Sequence, residues 1–146
     1  MCIRDSGWVI GVLDIQATPT ETLEAVLDLP ARVADVDAIQ EISLYVEEPT
    51  RIGARWSIGG LGLSSTFHIL YEIDWATSYG AYYLDTSQDN DIDASEGSYH
   101  AYAHGSGSRL VYRAWSESPA PEFVRQRLLA SSLEEQLGGI RRRAEQ

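Results

Sequence analysis

Through most of this chain apolar and polar residues alternate with a period of two, and only near the two ends does the period lengthen. Ile42, Leu44 and Val46 alternate with Glu41, Ser43 and Glu47, as in a strand with one face buried and one exposed. A further strand spans residues 52–58 and stops at Gly59-Gly60. The pattern is clearest over residues 61–73, where Leu61, Leu63, Phe67, Ile69, Tyr71 and Ile73 hold one face and Thr66, His68, Glu72 and Asp74 the other. Residues 78–86 form another strand, and Asp89-Asn90-Asp91 a polar turn. Two more strands, 97–103 and 109–115, flank the Gly-rich turn at 104–108, and the β-branched, apolar run 8–15 supplies the first strand. The count is seven strands.

Helical signals sit between the first two strands and at the C-terminus. Thr18, Pro19 and Glu21 make a capping box with proline at the first helical position. The helix they start carries Leu23, Val26 and Leu27 and is expected to end near Leu29. The same start rule predicts a second short helix over residues 30–36. After Pro119 and Pro121 stop the sheet, one long helix runs from residue 122 to 144, with Leu129, Leu133, Leu137, Ile140 and Ala144 on one stripe. Arg141, Arg142 and Arg143 lie in its last turns, where positive charge complements the helix dipole and ordinarily faces water. A terminal helix of this kind buries its stripe on the concave face of the sheet, an α+β arrangement.

At 146 residues the chain is one domain by length. Residues 1–6 match no pattern that follows and are left out of the fold, so the domain is read as 7–146. Twenty-two acidic residues against 11 basic ones leave a net charge of −11. Nucleic acid and anionic membrane surfaces are therefore disfavoured as partners. The chain contains no lysine, which excludes Schiff-base chemistry. A lone cysteine, Cys2, permits no internal disulfide and fits a cytoplasmic protein. No apolar run approaches the length of an integral membrane segment.

Four segments make a closer match possible: Arg51-Ile52-Gly53-Ala54-Arg55-Trp56, Glu96-Gly97-Ser98-Tyr99, Gly107-Ser108-Arg109-Leu110-Val111-Tyr112, and the run from Pro119 to Arg127. Together with the element order they resemble the START-like SRPBCC superfamily, and within it the bacterial polyketide cyclase/dehydrase and coenzyme-Q-binding branch. The resemblance spans about residues 8–146. It implies a helix-grip fold, in which a seven-stranded antiparallel sheet wraps a long C-terminal helix and two short helices separate strands one and two. It also implies a hydrophobic cavity between sheet and helix. Relatives bind lipids, quinones or polyketides there and some cyclise or dehydrate them; they share no catalytic motif, so fold alone does not decide the reaction.

Alternation nominates the cavity wall. If the apolar set points inward, the concave face gathers Trp56, Phe67, Tyr71, Tyr82, Tyr99 and Tyr112, interleaved with Ala54, Ala101, Ala103 and Ala114, and Leu133 of the helix stripe faces them. Large rings beside small residues leave volume unfilled, and phenolic hydroxyls add the few polar points typical of a ligand site. His68, His100 and His104 fall on the opposite face, as does Arg55. No catalytic residue, metal site or cofactor is assigned. Asp89–Asp93 starts like a calcium loop but has Ala94 at the sixth position where glycine is required. The expectation is a binder or carrier of a small hydrophobic molecule. The alternative is a cyclase or dehydratase using the same cavity, in which a tyrosine or Arg55 polarises a carbonyl.

Overall fold

The computed structural model describes residues 2–5, 8–60, 63–117 and 122–146, with side chains described for 8–59, 64–117 and 132–146. The elements run β1 (Cys2–Asp5), β2 (Trp8–Ile15), α1 (Pro19–Leu27), a 3-10 helix (Pro30–Asp35), β3 (Ile39–Glu48), β4 (Arg51–Gly60), β5 (Leu63–Asp74), β6 (Tyr79–Leu84), β7 (Ala94–His104), β8 (Gly107–Glu117) and α2 (Glu122–Ala144). All neighbouring strands are antiparallel, in the order β1-β2-β8-β7-β6-β5-β4-β3. The seven predicted strands are β2 to β8, and β1 pairs with the outer side of β2. This is the α+β helix-grip arrangement. Leu61, Pro119 and Pro121 lie outside the described residues, as do the side chains of Cys2, Leu63 and Leu129.

The chain leaves the sheet at β2 and returns at β3 on the far edge, so α1 and the 3-10 helix must cross between them. The capping box forms as the sequence predicts: Thr18 Oγ1 accepts from the Glu21 amide at 3.1 Å, and Glu21 Oε2 accepts from the Thr18 amide at 3.0 Å. The helix ends at Leu27, two residues earlier than expected. Asp28 adopts φ −74°, ψ 70°, and the Leu29 amide bonds the Leu27 carbonyl at 2.8 Å. That is an inverse γ-turn, and it redirects the chain into the next helix. This second helix is 3-10 rather than α. With three residues per turn, positions spaced by three eclipse one another, so Leu29, Arg32 and Asp35 all turn inward. Leu29 and Arg32 are fully buried.

The long helix α2 is held by its stripe. Leu133, Leu137 and Ile140 are buried, and Leu133 and Leu137 lie over Gly11 of β2. Burying such a side chain stabilises by about 1.5–3 kcal/mol. That outweighs the roughly 1 kcal/mol each that Gly138 and Gly139 cost inside a helix. Gly139 also has a positive reason to be glycine, because a Cβ there would run into the Asp35 carboxylate. Asp35 accepts both its hydrogen bonds from Arg143 Nη1, at 2.7 and 2.8 Å, while Arg143 Nη2 reaches the Ala25 carbonyl at 3.3 Å. Arg141 donates to the Asp14 carbonyl at 2.9 Å. Two of the three terminal arginines thus bond to other elements, against the expectation of a solvated run: Arg141 from an exposed position, and Arg143 because Gly139 lets α2 approach the 3-10 helix closely.

Asp35→Ala should lower the unfolding free energy by about 3 kcal/mol, since it strips the counter-ion from a largely buried guanidinium. Arg142→Ala, on the exposed side of the same turn, should stay within about 0.5 kcal/mol of the parent. Urea denaturation followed by circular dichroism measures both.

Candidate functional site

Antiparallel pairing sets directly opposed residues side by side, and on the concave face these pairs are aromatic. Trp56 of β4 stands opposite Phe67 of β5, with ring centroids 6.2 Å apart and planes 7° from parallel. Tyr71 of β5 faces Tyr82 of β6 at 5.8 Å, and Tyr99 of β7 faces Tyr112 of β8 at 4.3 Å, edge to face. Tyr82 and Tyr99 close the series at 5.6 Å. The Tyr82 ring fits because Gly97 lies opposite it; a Cβ at that position would run into both the ring and the Arg113 carbonyl. Trp56, Tyr71, Tyr82, Tyr99, Tyr112 and Leu133 are buried, and Phe67 is half-buried. Ala54, Ala101 and Ala114 are buried among them. Ala103 is exposed instead, because it sits beside the β7–β8 turn at the end of the sheet.

The residue that sequence reasoning missed is Arg32. It is 0% exposed and is the largest fully buried side chain described. Its Nη1 donates to the Tyr99 hydroxyl at 3.0 Å and makes a long contact of 3.5 Å to the Val26 carbonyl. Its Nη2 donates to Gln136 Oε1 on α2. The guanidinium carbon lies 5.3 Å from the Trp56 ring centroid and 5.7 Å from that of Tyr99, cation–π distances for both. Arg32 Nε and Trp56 Nε1 find no hydrogen-bond partner among the described residues; the Tyr71 phenol neighbours the indole without hydrogen-bond geometry. Every partner of Arg32 named here is neutral. The nearest candidate counter-ion in sequence, Asp35, is already held by Arg143. Arginine is almost never fully buried, so a polar residue in a short apolar helix reads as outward-facing. The three-residue spacing Leu29, Arg32, Asp35 is the signal that would have found it, once the helix was known to be 3-10.

Electrostatics sharpen this picture. Burial pushes the Tyr71 and Tyr99 phenols up; Arg32 pulls them back, and burial wins. Burial likewise raises the Tyr82 phenol well above its ordinary value, with Tyr112 and Tyr99 adding to it. These phenols are neutral at physiological pH and supply no negative charge. Burial works against the Arg32 charge too and the hydrogen bond to Tyr99 works for it; a guanidinium keeps its proton in proteins. The hydroxyls are ordered in one direction, Arg32 donating to Tyr99 and Tyr99 to Tyr112 at 3.0 Å. The cluster is rich in donors, cationic, and without a carboxylate among the described residues.

The remaining candidates stand elsewhere. Arg55 is exposed and reaches Glu41 at 3.9 Å. His100 and His104 are exposed; His68 is half-buried, with Nδ1 3.0 Å from the Asp89 carbonyl and its ring edge-on to Tyr45. In the calcium-like loop, Asp91 and Asn90 accept from the Thr66 and His68 amides at 2.8 and 2.7 Å, which is a turn network serving β5. Among the described residues no three His, Cys, Asp or Glu side chains converge as metal ligands. An open trough of about 620 Å³ lies on the convex side, lined in part by Trp8, Tyr79, Tyr83, Glu96 and Arg113. It is separated from Arg32 by the sheet.

Because the folded protein holds the three phenolic protons above the unfolded value near ~10, it binds more protons than the unfolded chain beyond that pH. Stability therefore falls as pH rises through that range. In an alkaline titration, the phenolate absorbance of Tyr71, Tyr82 and Tyr99 should appear only together with loss of the circular dichroism of the fold. Full ionisation of every tyrosine with the fold intact would contradict the burial described.

No protein-family model and no curated protein matches the sequence. Solved structures do. A START superfamily protein from Mycobacterium smegmatis superposes with a TM-score of 0.73 at 17% identity, covering 94% of this chain and 97% of its own. A STAR-related lipid transfer protein from Xanthomonas axonopodis gives 0.76 at 10% identity, covering 100% and 98%. The Zhui aromatase/cyclase of Streptomyces sp. R1128 gives 0.72 at 13% identity, covering 94% and 90%. These likenesses establish a START-like fold.

Proposed function

We propose that this START-like chain binds and carries a small hydrophobic molecule, seated against the aromatic concave face beneath α2. One observation carries the reading: two buried N–H donors in a wall of rings and alanines, Arg32 Nε and Trp56 Nε1, have no acceptor among the described residues. A buried donor left unsatisfied costs about 1–3 kcal/mol. A core built for stability alone would have filled that place with an apolar group, whereas a ligand site needs a few convergent polar points in apolar surroundings. Trp56, Phe67, Tyr71, Tyr82, Tyr99, Tyr112 and Leu133 are the proposed contacts. A lipid transfer protein and an aromatase/cyclase share the fold, which is consistent with an apolar ligand. Among the described residues no helix is long and apolar enough to cross a membrane, and the single cysteine suits a cytoplasmic setting.

A second reading, a cyclase or dehydratase, is favoured by the donor cluster itself. Arg32 takes the place that the sequence pattern offered to Arg55, and a guanidinium beside a phenol would stabilise a developing enolate oxygen. Such a reaction also needs a base. Among the described residues, no histidine or free carboxylate faces the cluster, and the phenols hold their protons, so carriage remains the leading reading.

Native mass spectrometry of the purified protein, followed by organic extraction, should reveal a stoichiometric apolar passenger. For the site, Trp56→Ala should weaken binding of the neutral fluorophore N-phenyl-1-naphthylamine by at least about tenfold, while His100→Ala changes it by less than about twofold. Equal binding by both variants would remove the concave face as the site.

A further inference from the structure

We propose that the ligand is an apolar carboxylic acid, and that its ionised carboxylate is the counter-ion that no described residue supplies to Arg32. The inference rests on the concave site proposed above and names the chemistry of its polar end. A buried cation whose described partners are all neutral is a costly arrangement. Arg32 is such a cation: Tyr99, Val26 and Gln136 give it oxygens but no charge. Its Nε–H has no acceptor among the described residues, and neither has the indole N–H of Trp56, whose ring centroid lies 5.3 Å from the guanidinium carbon.

What fits there is an acceptor, and charge decides which kind. A neutral hydroxyl or ketone would satisfy one N–H and leave the cation uncompensated. A carboxylate accepts from several donors at once and cancels the charge, and its pairing with a guanidinium adds two-pronged geometry to charge-assisted hydrogen bonds. The phenols cannot play this part, since burial keeps Tyr71, Tyr82 and Tyr99 protonated. Tyr99 passes its hydrogen bond on to Tyr112, away from Arg32, and Arg32 Nε is left without an acceptor among the described residues. The rest of the wall is apolar and suits the hydrocarbon part of the acid. The net charge of −11 repels anions in general, so a preference for a carboxylate cannot arise from the protein's overall field.

The test uses two probes of equal length, dodecanoate and dodecan-1-ol, each displacing N-phenyl-1-naphthylamine from the full chain near neutral pH. The parent should prefer dodecanoate by at least about tenfold. Arg32→Met should bring the two within about twofold. Should that variant fail to fold, Gln136→Glu serves instead: it places a carboxylate on the atom that already meets Arg32 Nη2, so it should raise the melting temperature and abolish the preference. Equal affinity of the parent for acid and alcohol would overturn the carboxylate proposal and leave a hydrophobic site standing. Gln136→Glu retaining the preference would also overturn it. A parent that binds neither probe nor fluorophore would sink the hydrophobic site and this proposal with it.

Discussion

Every helix of this protein is committed to one face of the sheet by where the strands begin and end. β2 pairs with β8 near one edge, while β3 forms the other edge. The connection between two strands so far apart must cross the sheet, and α1 and the 3-10 helix make that crossing. α2 then returns from β8 against α1, the 3-10 helix and β2. The concave surface, with its paired rings, is enclosed by these segments. Position, rather than any catalytic motif, makes it the candidate site.

At the meeting point of the 3-10 helix, the sheet and α2 lies Arg32. Its backbone belongs to the 3-10 helix, its guanidinium overlies Trp56 of the sheet, and Gln136 of α2 accepts from it. Three residues further on, Asp35 holds Arg143 of the same α2. The two contacts differ in kind. Asp35 and Arg143 neutralise each other, so that pair is explained by stability. Arg32 has no such partner among the described residues, and a fold under selection for stability alone gains by replacing it. A charge retained without compensation is better explained by something that arrives to compensate it.

The structural neighbours show how little the fold settles by itself. A lipid transfer protein and an aromatase/cyclase superpose on this chain at 10% and 13% identity, and one architecture hosts both transfer and chemistry. What separates the readings here is local. Electrophilic donors are present on the concave face, whereas the histidines sit on the convex one or at its edge. A site with donors and no base can hold and polarise a ligand, but it has half of what proton-transfer chemistry requires.

The sequence by itself determined the architecture. Period-two alternation marks seven strands, Thr18 to Glu21 marks the first helix, and the 133, 137, 140 stripe orients the last; each is a local signal that tertiary packing then obeys. Strict alternation also put Trp56, Tyr71, Tyr82, Tyr99 and Tyr112 on one face, since side-chain direction in a strand follows from parity. It failed at Ala103, where the sheet runs out and parity no longer implies burial. The helix type at residues 30–35 and the burial of Arg32 were decided only by the tertiary structure. An inverse γ-turn at Asp28 and the near approach of α2 through Gly139 turn a three-residue spacing inward, against arginine's ordinary preference for water. The identities of its partners, Tyr99 from β7 and Gln136 from α2, are separated from it by 67 and 104 positions. No local pattern spans such distances, because it is the crossing of the sheet, not the neighbouring sequence, that brings those side chains together.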